Sequence, residues 1–235
     1  MAAIVNKKAF ILGMVLSISF VVILVILFSP VFNGKPGLYK ADEIFNGLAK
    51  GSTYFIPALY KKAQGFKGEE LAMALEFENN IEKSEVLFKK IAYETKKEGN
   101  ILKVKGDFGE LANVIIKDTE DMYHNKGEEL RARYGFNEKE VLYYWWLTLK
   151  QIEKRFKKEG KAKQLDLCQS LISKGLEASY NFYGIKAEKV GKHLWLVTFF
   201  LVFYIVYTIW WGFGIYFLFE GIGLKTTKAK VKKEA

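Results

Sequence analysis

The chain has 235 residues, 50% of them hydrophobic, a formal net charge of +10 and one cysteine. A single cysteine excludes an internal disulfide, and no Cys/His spacing resembles a zinc site. Half of the positive excess sits at the two ends, in Lys7, Lys8, Lys225, Lys228, Lys230, Lys232 and Lys233. The middle is mixed in sign and joins no basic stripe to a nucleic-acid-binding motif, which argues against nucleic acid as a partner.

Residues 9–28 form an uncharged run of 20. At about 1.5 Å per residue this run covers about 30 Å, the thickness of a hydrocarbon core. It is longer than the apolar region of a secretory signal. Ser29-Pro30-Val31-Phe32-Asn33 also offers no A-x-A-like cleavage site, so the run reads as an uncleaved signal anchor. Residues 34–68 read as helix interrupted by Gly and Pro. Within them, 41–50 is amphipathic, with Ile44, Phe45 and Leu48 on one face. Pro57 restarts the helix. The aromatic cluster around it (Tyr54, Phe55, Tyr60) either rests on a bilayer surface or seals the domain core.

At Leu71, Met73, Leu75 and Phe77 the apolar period becomes two, as in a half-buried strand, with a continuous helix through 69–77 as the alternative. Asn79-Asn80 breaks the pattern. Residues 81–98 read as helix with Val86, Leu87, Ile91 and Ala92 on one side, ended by Gly99-Asn100, and 101–105 as a second strand. The expectation is a strand–helix–strand unit with parallel strands and a right-handed crossover. Asp107 and Glu110 have capping-box spacing and open a helix to about His124. Asn137 and Glu140 repeat the spacing and open a long helix to about Lys158, closed by Gly160. A further helix covers 162–183 and stops at Gly184. Residues 185–192 are helix-compatible and could run directly into the next segment.

That segment, 194–219, contains 26 residues without a charge and reads as a second membrane-spanning helix. Seven lysines flank the outer ends of the two runs and five the inner ends (Lys35, Lys40, Lys186, Lys189, Lys192). This bias places both termini in the cytoplasm. The expected class is a mainly α membrane protein, two transmembrane helices flanking a mostly helical α+β extracytoplasmic domain with a small strand–helix–strand unit. The expected divisions are 1–8 cytoplasmic, 9–28 transmembrane, 29–193 extracytoplasmic, 194–219 transmembrane and 220–235 a Lys-rich cytoplasmic tail, in the cell (inner) membrane. The two spans are expected to pack antiparallel, with Gly13 against Trp211 and Ser17 against Tyr207 and Tyr204, so that small residues receive an aromatic stripe.

Chemistry is sparse. Asp118, Asp121 and His124 share one helix and could ligate a metal, but no second cluster completes the set, and a solvated helix end is the plainer reading. His193 beside Trp195 reads as an interfacial anchor rather than a haem ligand. Glu220 lies beyond the Trp210-Trp211 pair and reads as a headgroup-level end-group. Cys168 has helical-spaced apolar neighbours and reads as a buried thiol. Tyr143-Tyr144-Trp145-Trp146 covers every face of its helix, so some of these rings must meet something other than one core. Gly106-Asp107-Phe108-Gly109 reads as a turn into a capped helix. No nucleophile elbow, P-loop or Rossmann fingerprint is present. No residue is therefore assigned as catalytic, cofactor-binding or metal-binding, and no cofactor is expected. The expected function is a non-catalytic accessory or scaffolding subunit of a membrane assembly, whose partners are the lipid bilayer and another protein or a second copy. The alternatives are a ligand-sensing ectodomain acting through a partner chain, and a redox or metal-binding subunit. An uncleaved anchor requires a mature protein at the full 27.0 kDa, checked by intact mass. A chain beginning after about residue 30 contradicts it.

Overall fold

The computed structural model describes residues 4–31, 33–78, 80–91 and 93–224, with Lys40 described by its backbone alone. Asn79, Ala92 and the Lys-rich tail from Lys225 lie outside the described residues. The fold is mostly helical with one small sheet, and it divides into two compact units, residues 1–45 with 189–235 and residues 46–188.

The first unit is built on two helices, α1 (Lys7–Phe28) and α10 (Val190–Gly221). Asn6 starts α1 by accepting from the Ala9 N–H at 3.2 Å, which satisfies one of the free donors of a helix start. Both helices are long and apolar enough to cross a membrane, with mean hydropathy of 3.1 and 1.9 over their most apolar 18 residues. They contain the two uncharged runs, and α10 continues unbroken through Glu220. Their contacts run antiparallel. Val5 and Asn6 N–H donate to Gly221 O at 2.8 and 3.1 Å, and Phe20 stacks on Tyr207 with ring centroids 4.3 Å apart.

The register differs from expectation. A Cβ on Gly13 would lie 2.6 Å from Leu218 N, and one on Gly214 would lie 2.9 Å from Ser17 Oγ. Gly13 therefore faces Gly214, Phe217 and Leu218 rather than Trp211, and Ser17 faces Gly214 rather than Tyr207. Tyr204 is 66% exposed and stands outside the contact. The reason is that α10 carries recesses of its own. Gly214 and Gly221 are seven apart on the stripe that holds Tyr207, Trp211 and Leu218. Phe10 closes on Gly221, with 2.6 Å between its Cβ and a Cβ built there, and Phe20 reaches Tyr207 and Trp211. Small residues on both helices allow close backbone approach, and this wins over aromatic rings against one recessed face. The first half of α2 (Gly37–Ser52) belongs to this unit, where Phe45 lies 5.4 Å from Phe200 between ring centroids.

The second unit opens on the rest of α2. Phe55 precedes α3 (Ile56–Ala63), which restarts the helix with Pro57 near its N-terminus, where a missing N–H costs nothing. A 3₁₀ turn, Gln64–Phe66, leads to β1 (Glu70–Glu76), α4 (Ile81–Lys90), β2 (Glu94–Glu98) and β3 (Ile101–Asp107). The sheet order is β1-β3-β2, with β3 antiparallel to both neighbours.

The alternating pattern at Leu71–Leu75 is a strand, as expected, and a continuous helix there is excluded. The paired parallel strands are corrected. The expected helix of 81–98 ends at Lys90, and residues 94–98 form an additional strand. Gly99, at φ 60, turns a hairpin instead of ending a helix. Because β3 inserts between them, β1 and β2 run parallel without touching, which is a split strand–helix–strand arrangement. One sheet face is buried through Leu71, Leu75, Leu102 and Val104. Gln151 accepts from Glu76 N–H at 2.7 Å and donates to Glu76 O at 2.8 Å. The backbone of the last β1 residue is thereby paired by the Gln151 side chain.

α5 (Phe108–Tyr123) is the axis of this unit, with Leu111, Ala112, Ile115, Ile116 and Met122 all fully buried. The Asp107 side chain caps it by accepting from Glu110 N–H at 2.9 Å. α6 (Gly127–Tyr134) follows, a helix absent from the sequence expectation. α7 (Glu138–Glu159) is capped by Asn137 and closed by Gly160 at φ 69, as the spacing predicts. α8 (Ala162–Ser170), a π-helical segment (Leu171–Leu176) and α9 (Glu177–Asn181) occupy the expected helix of 162–183. Cys168 is fully buried among α8 neighbours, and burial pushes its thiol up to about 12.

The contact register gives a direct test. A Cβ on Gly214 would lie 3.6 Å from Leu16 Cβ, within disulfide reach. In a Cys168→Ser background, the pair Leu16→Cys/Gly214→Cys crosslinks within one chain on oxidation. The pairs Gly13→Cys/Trp211→Cys and Ser17→Cys/Tyr207→Cys do not.

Candidate functional site

Among the described residues of the second unit, three of the polar or aromatic clusters are candidates for a site. The first is centred on Asp118, fully buried on α5. Tyr134 OH donates to its Oδ2 at 2.6 Å, Trp145 Nε1 donates to the same oxygen at 2.8 Å, and Arg133 pairs with Oδ1. Arg133 also donates to Asp121 at 2.8 Å. Burial pushes the Asp118 carboxyl up, against the opposing pull of Tyr134, Trp145 and Arg133. The expectation of a solvated helix end at Asp118 and Asp121 is corrected. α6, unforeseen from sequence, folds Arg133 and Tyr134 over them. His124 caps α5 with its ring against Tyr54 and Tyr123. Among the described residues no group of three His, Cys, Asp or Glu is arranged to hold a metal.

The second cluster is where the chain enters and leaves this unit. Glu188 N–H donates to Gly47 O at 2.9 Å. A Cβ on Gly51 would fall 2.1 Å from Glu188 O, so only glycine lets these backbones meet. Lys50, 1% exposed, donates to Ile185 O at 2.6 Å and to Asn125 Oδ1 at 2.9 Å. Tyr123 OH returns a hydrogen bond to Lys50 O at 2.7 Å. Burial lowers the Lys50 pKa from 10.5. The Ile185 carbonyl and the Glu188 N–H are thereby committed to α2, and residues 185–189 are not helical although their sequence permits it. Sequence reasoning missed Lys50, which lies opposite the apolar stripe of its helix. The available signal was Gly47 and Gly51, four apart inside a helix that glycine disfavours.

The third cluster is an aromatic cleft of about 320 Å³ between α7 and α9. Of the four consecutive aromatics, Tyr144 and Trp145 are buried, while Tyr143 is 49% exposed and Trp146 half-buried. Their side chains line the cleft with Tyr180, Glu177 and Asn181, over a floor of Leu142 and Leu176. Trp146 Nε1 donates to Glu177 Oε1 at 2.9 Å. The π-helical segment runs directly into this wall, Leu176 ending it and Glu177 opening α9.

In the first unit, Glu220 lies in the last turn of α10, with Asn6 Nδ2 3.4 Å from its carboxylate. His193 sits in the first turn of α10. No protein-family model, curated protein or solved structure matches the chain.

Stability measurements test the first two clusters. Asp118→Ala removes the acceptor of two buried donors, Tyr134 and Trp145, and of the partly exposed Arg133, and lowers unfolding stability by about 3 kcal/mol. Gly51→Ala forces a methyl into Glu188 O and costs about 2 kcal/mol. Lys50 titrates below its unfolded value of 10.5. Between those two pKa values the unfolded chain binds the extra proton, so wild-type stability rises with pH there. Lys50→Met loses that slope, as urea unfolding at pH 7 to 10.5 reads directly.

Proposed function

We propose that the protein is a two-span integral membrane protein whose central domain lies outside the cytoplasm and which serves as a non-catalytic accessory or scaffolding subunit. The observation that carries the membrane reading is the surface of α1 and α10. Val15, Ile18, Val22, Val25, Leu201 and Ile205 are each about half exposed or more, an apolar surface far larger than a water-facing monomer tolerates. The meeting of Gly47 with Glu188 supports a domain inserted between two adjacent spans, since its chain ends lie side by side. The lysine bias supports cytoplasmic termini. The aromatic cleft favours a second reading, ligand sensing through a partner chain.

Single cysteines in a Cys168→Ser background test the topology in intact cells. Lys157→Cys, on an exposed turn of α7, reacts with an impermeant maleimide, whereas Val5→Cys reacts only after permeabilisation; the reverse pattern overturns the orientation. Purification in mild detergent returns either a stoichiometric partner chain or a multiple of 27.0 kDa. A lone monomer overturns the subunit role.

A further inference from the structure

The cleft between α7 and α9 has the chemistry of a site for a soft organic cation, and we propose that it binds a small quaternary ammonium group such as that of choline. The proposal deepens the ligand-sensing reading but rests on the cleft alone. It holds whichever side of a membrane the domain occupies.

Three aromatic side chains, Tyr143, Trp146 and Tyr180, line one cavity, and the charged group among its lining residues is the Glu177 carboxylate. Aromatic faces carry negative potential and attract cations within about 6 Å of the ring centroid, Trp most strongly. A quaternary ammonium suits such a wall because its charge is spread over methyl groups that make apolar contact and demand no hydrogen bonds. The indole of Trp146 is held by Glu177 at 2.9 Å, so the carboxylate both orients a ring and supplies the countercharge.

Two of the protein's own cations already use these rings. Lys139 Nζ lies 5.3 Å from the Tyr180 centroid, and Lys150 Nζ lies 5.6 Å from that of Trp146. The cleft is also exposed by construction. Trp145 is drawn inward by Asp118, which leaves Tyr143 and Trp146 on the outer face of α7. At about 320 Å³ the cavity is at the small end of ligand sites, suited to a choline-sized guest.

The test is calorimetric titration of the full chain in maltoside micelles with choline and with its neutral carbon isostere, 3,3-dimethyl-1-butanol. Choline binds about tenfold more tightly than the isostere, the ratio that a cation–π and carboxylate contribution near 1.4 kcal/mol gives. Glu177→Gln narrows that ratio, and Trp146→Leu removes choline binding while leaving the unfolding transition in place. Equal binding of the two compounds, an unchanged ratio in Glu177→Gln, or no choline binding up to about 10 mM, well above a 1 mM Kd, overturns the proposal. Nanodiscs distinguish the source of the group. Choline heat lost in phosphatidylcholine discs but kept in phosphatidylglycerol discs assigns the site to a lipid headgroup. Equal heat in both assigns it to a soluble ligand. The titration is independent of topology, so its failure leaves the two-span reading intact and the converse also holds.

Discussion

The second unit depends on how the Asp118 carboxylate is satisfied. A fully buried carboxylate without partners would cost several kcal/mol. Here it gathers donors from α6 and α7 onto α5. Three helices are thereby fixed at one point, and the rotation of α7 follows. With the Trp145 indole held inward and Tyr144 buried, Tyr143 and Trp146 must face out. The exposed aromatic wall is thus a consequence of a polar bond in the core. Phe88, 5.7 Å from Trp145 between centroids, packs α4 against the same ring and carries the constraint to the sheet side.

Glycine sets the second pattern, in both units. Gly13, Gly214 and Gly221 let α1 and α10 approach backbone to backbone, and Gly47 and Gly51 let α2 meet residues 186–188. Gly106 does the same within the sheet, where the Tyr93 ring fills the place of a side chain and its hydroxyl donates to Asp107 O at 2.5 Å. Each of these glycines weakens its own helix or strand by roughly 0.5–1 kcal/mol. Each is offset by contacts that a Cβ would forbid. Where α1 meets α10, hydrophobic burial cannot itself drive association if lipid surrounds both helices, so close packing of this kind is the available force.

The sequence by itself determined the element types whose signals are local. Two uncharged runs of 20 and 26 residues can only be long apolar helices. Asp107, Asn137 and Gly160 set their helix ends through side-chain caps and a left-handed turn, and both act within a few residues. The alternation at Leu71, Met73 and Leu75 pointed to a strand for the same reason, and pairing with β3 excluded the rival helix through 69–77. Tertiary structure decided whatever rested on partners distant in the chain. The pairing of β1 with β3, the loss of helix at 185–189 to Gly47 and Lys50, and the burial of Asp118 and Asp121 under α6 each join groups at least 12 residues apart, beyond the reach of a local pattern. The helix register was decided in the same way. Gly13 could receive either an aromatic stripe or another glycine, and only the three-dimensional match of recesses on both helices selects the second. The candidate site was half legible. Four consecutive aromatics showed that some must face outward, but which two did so followed from a hydrogen bond between Trp145 and an aspartate 27 positions earlier, a pairing no local pattern records.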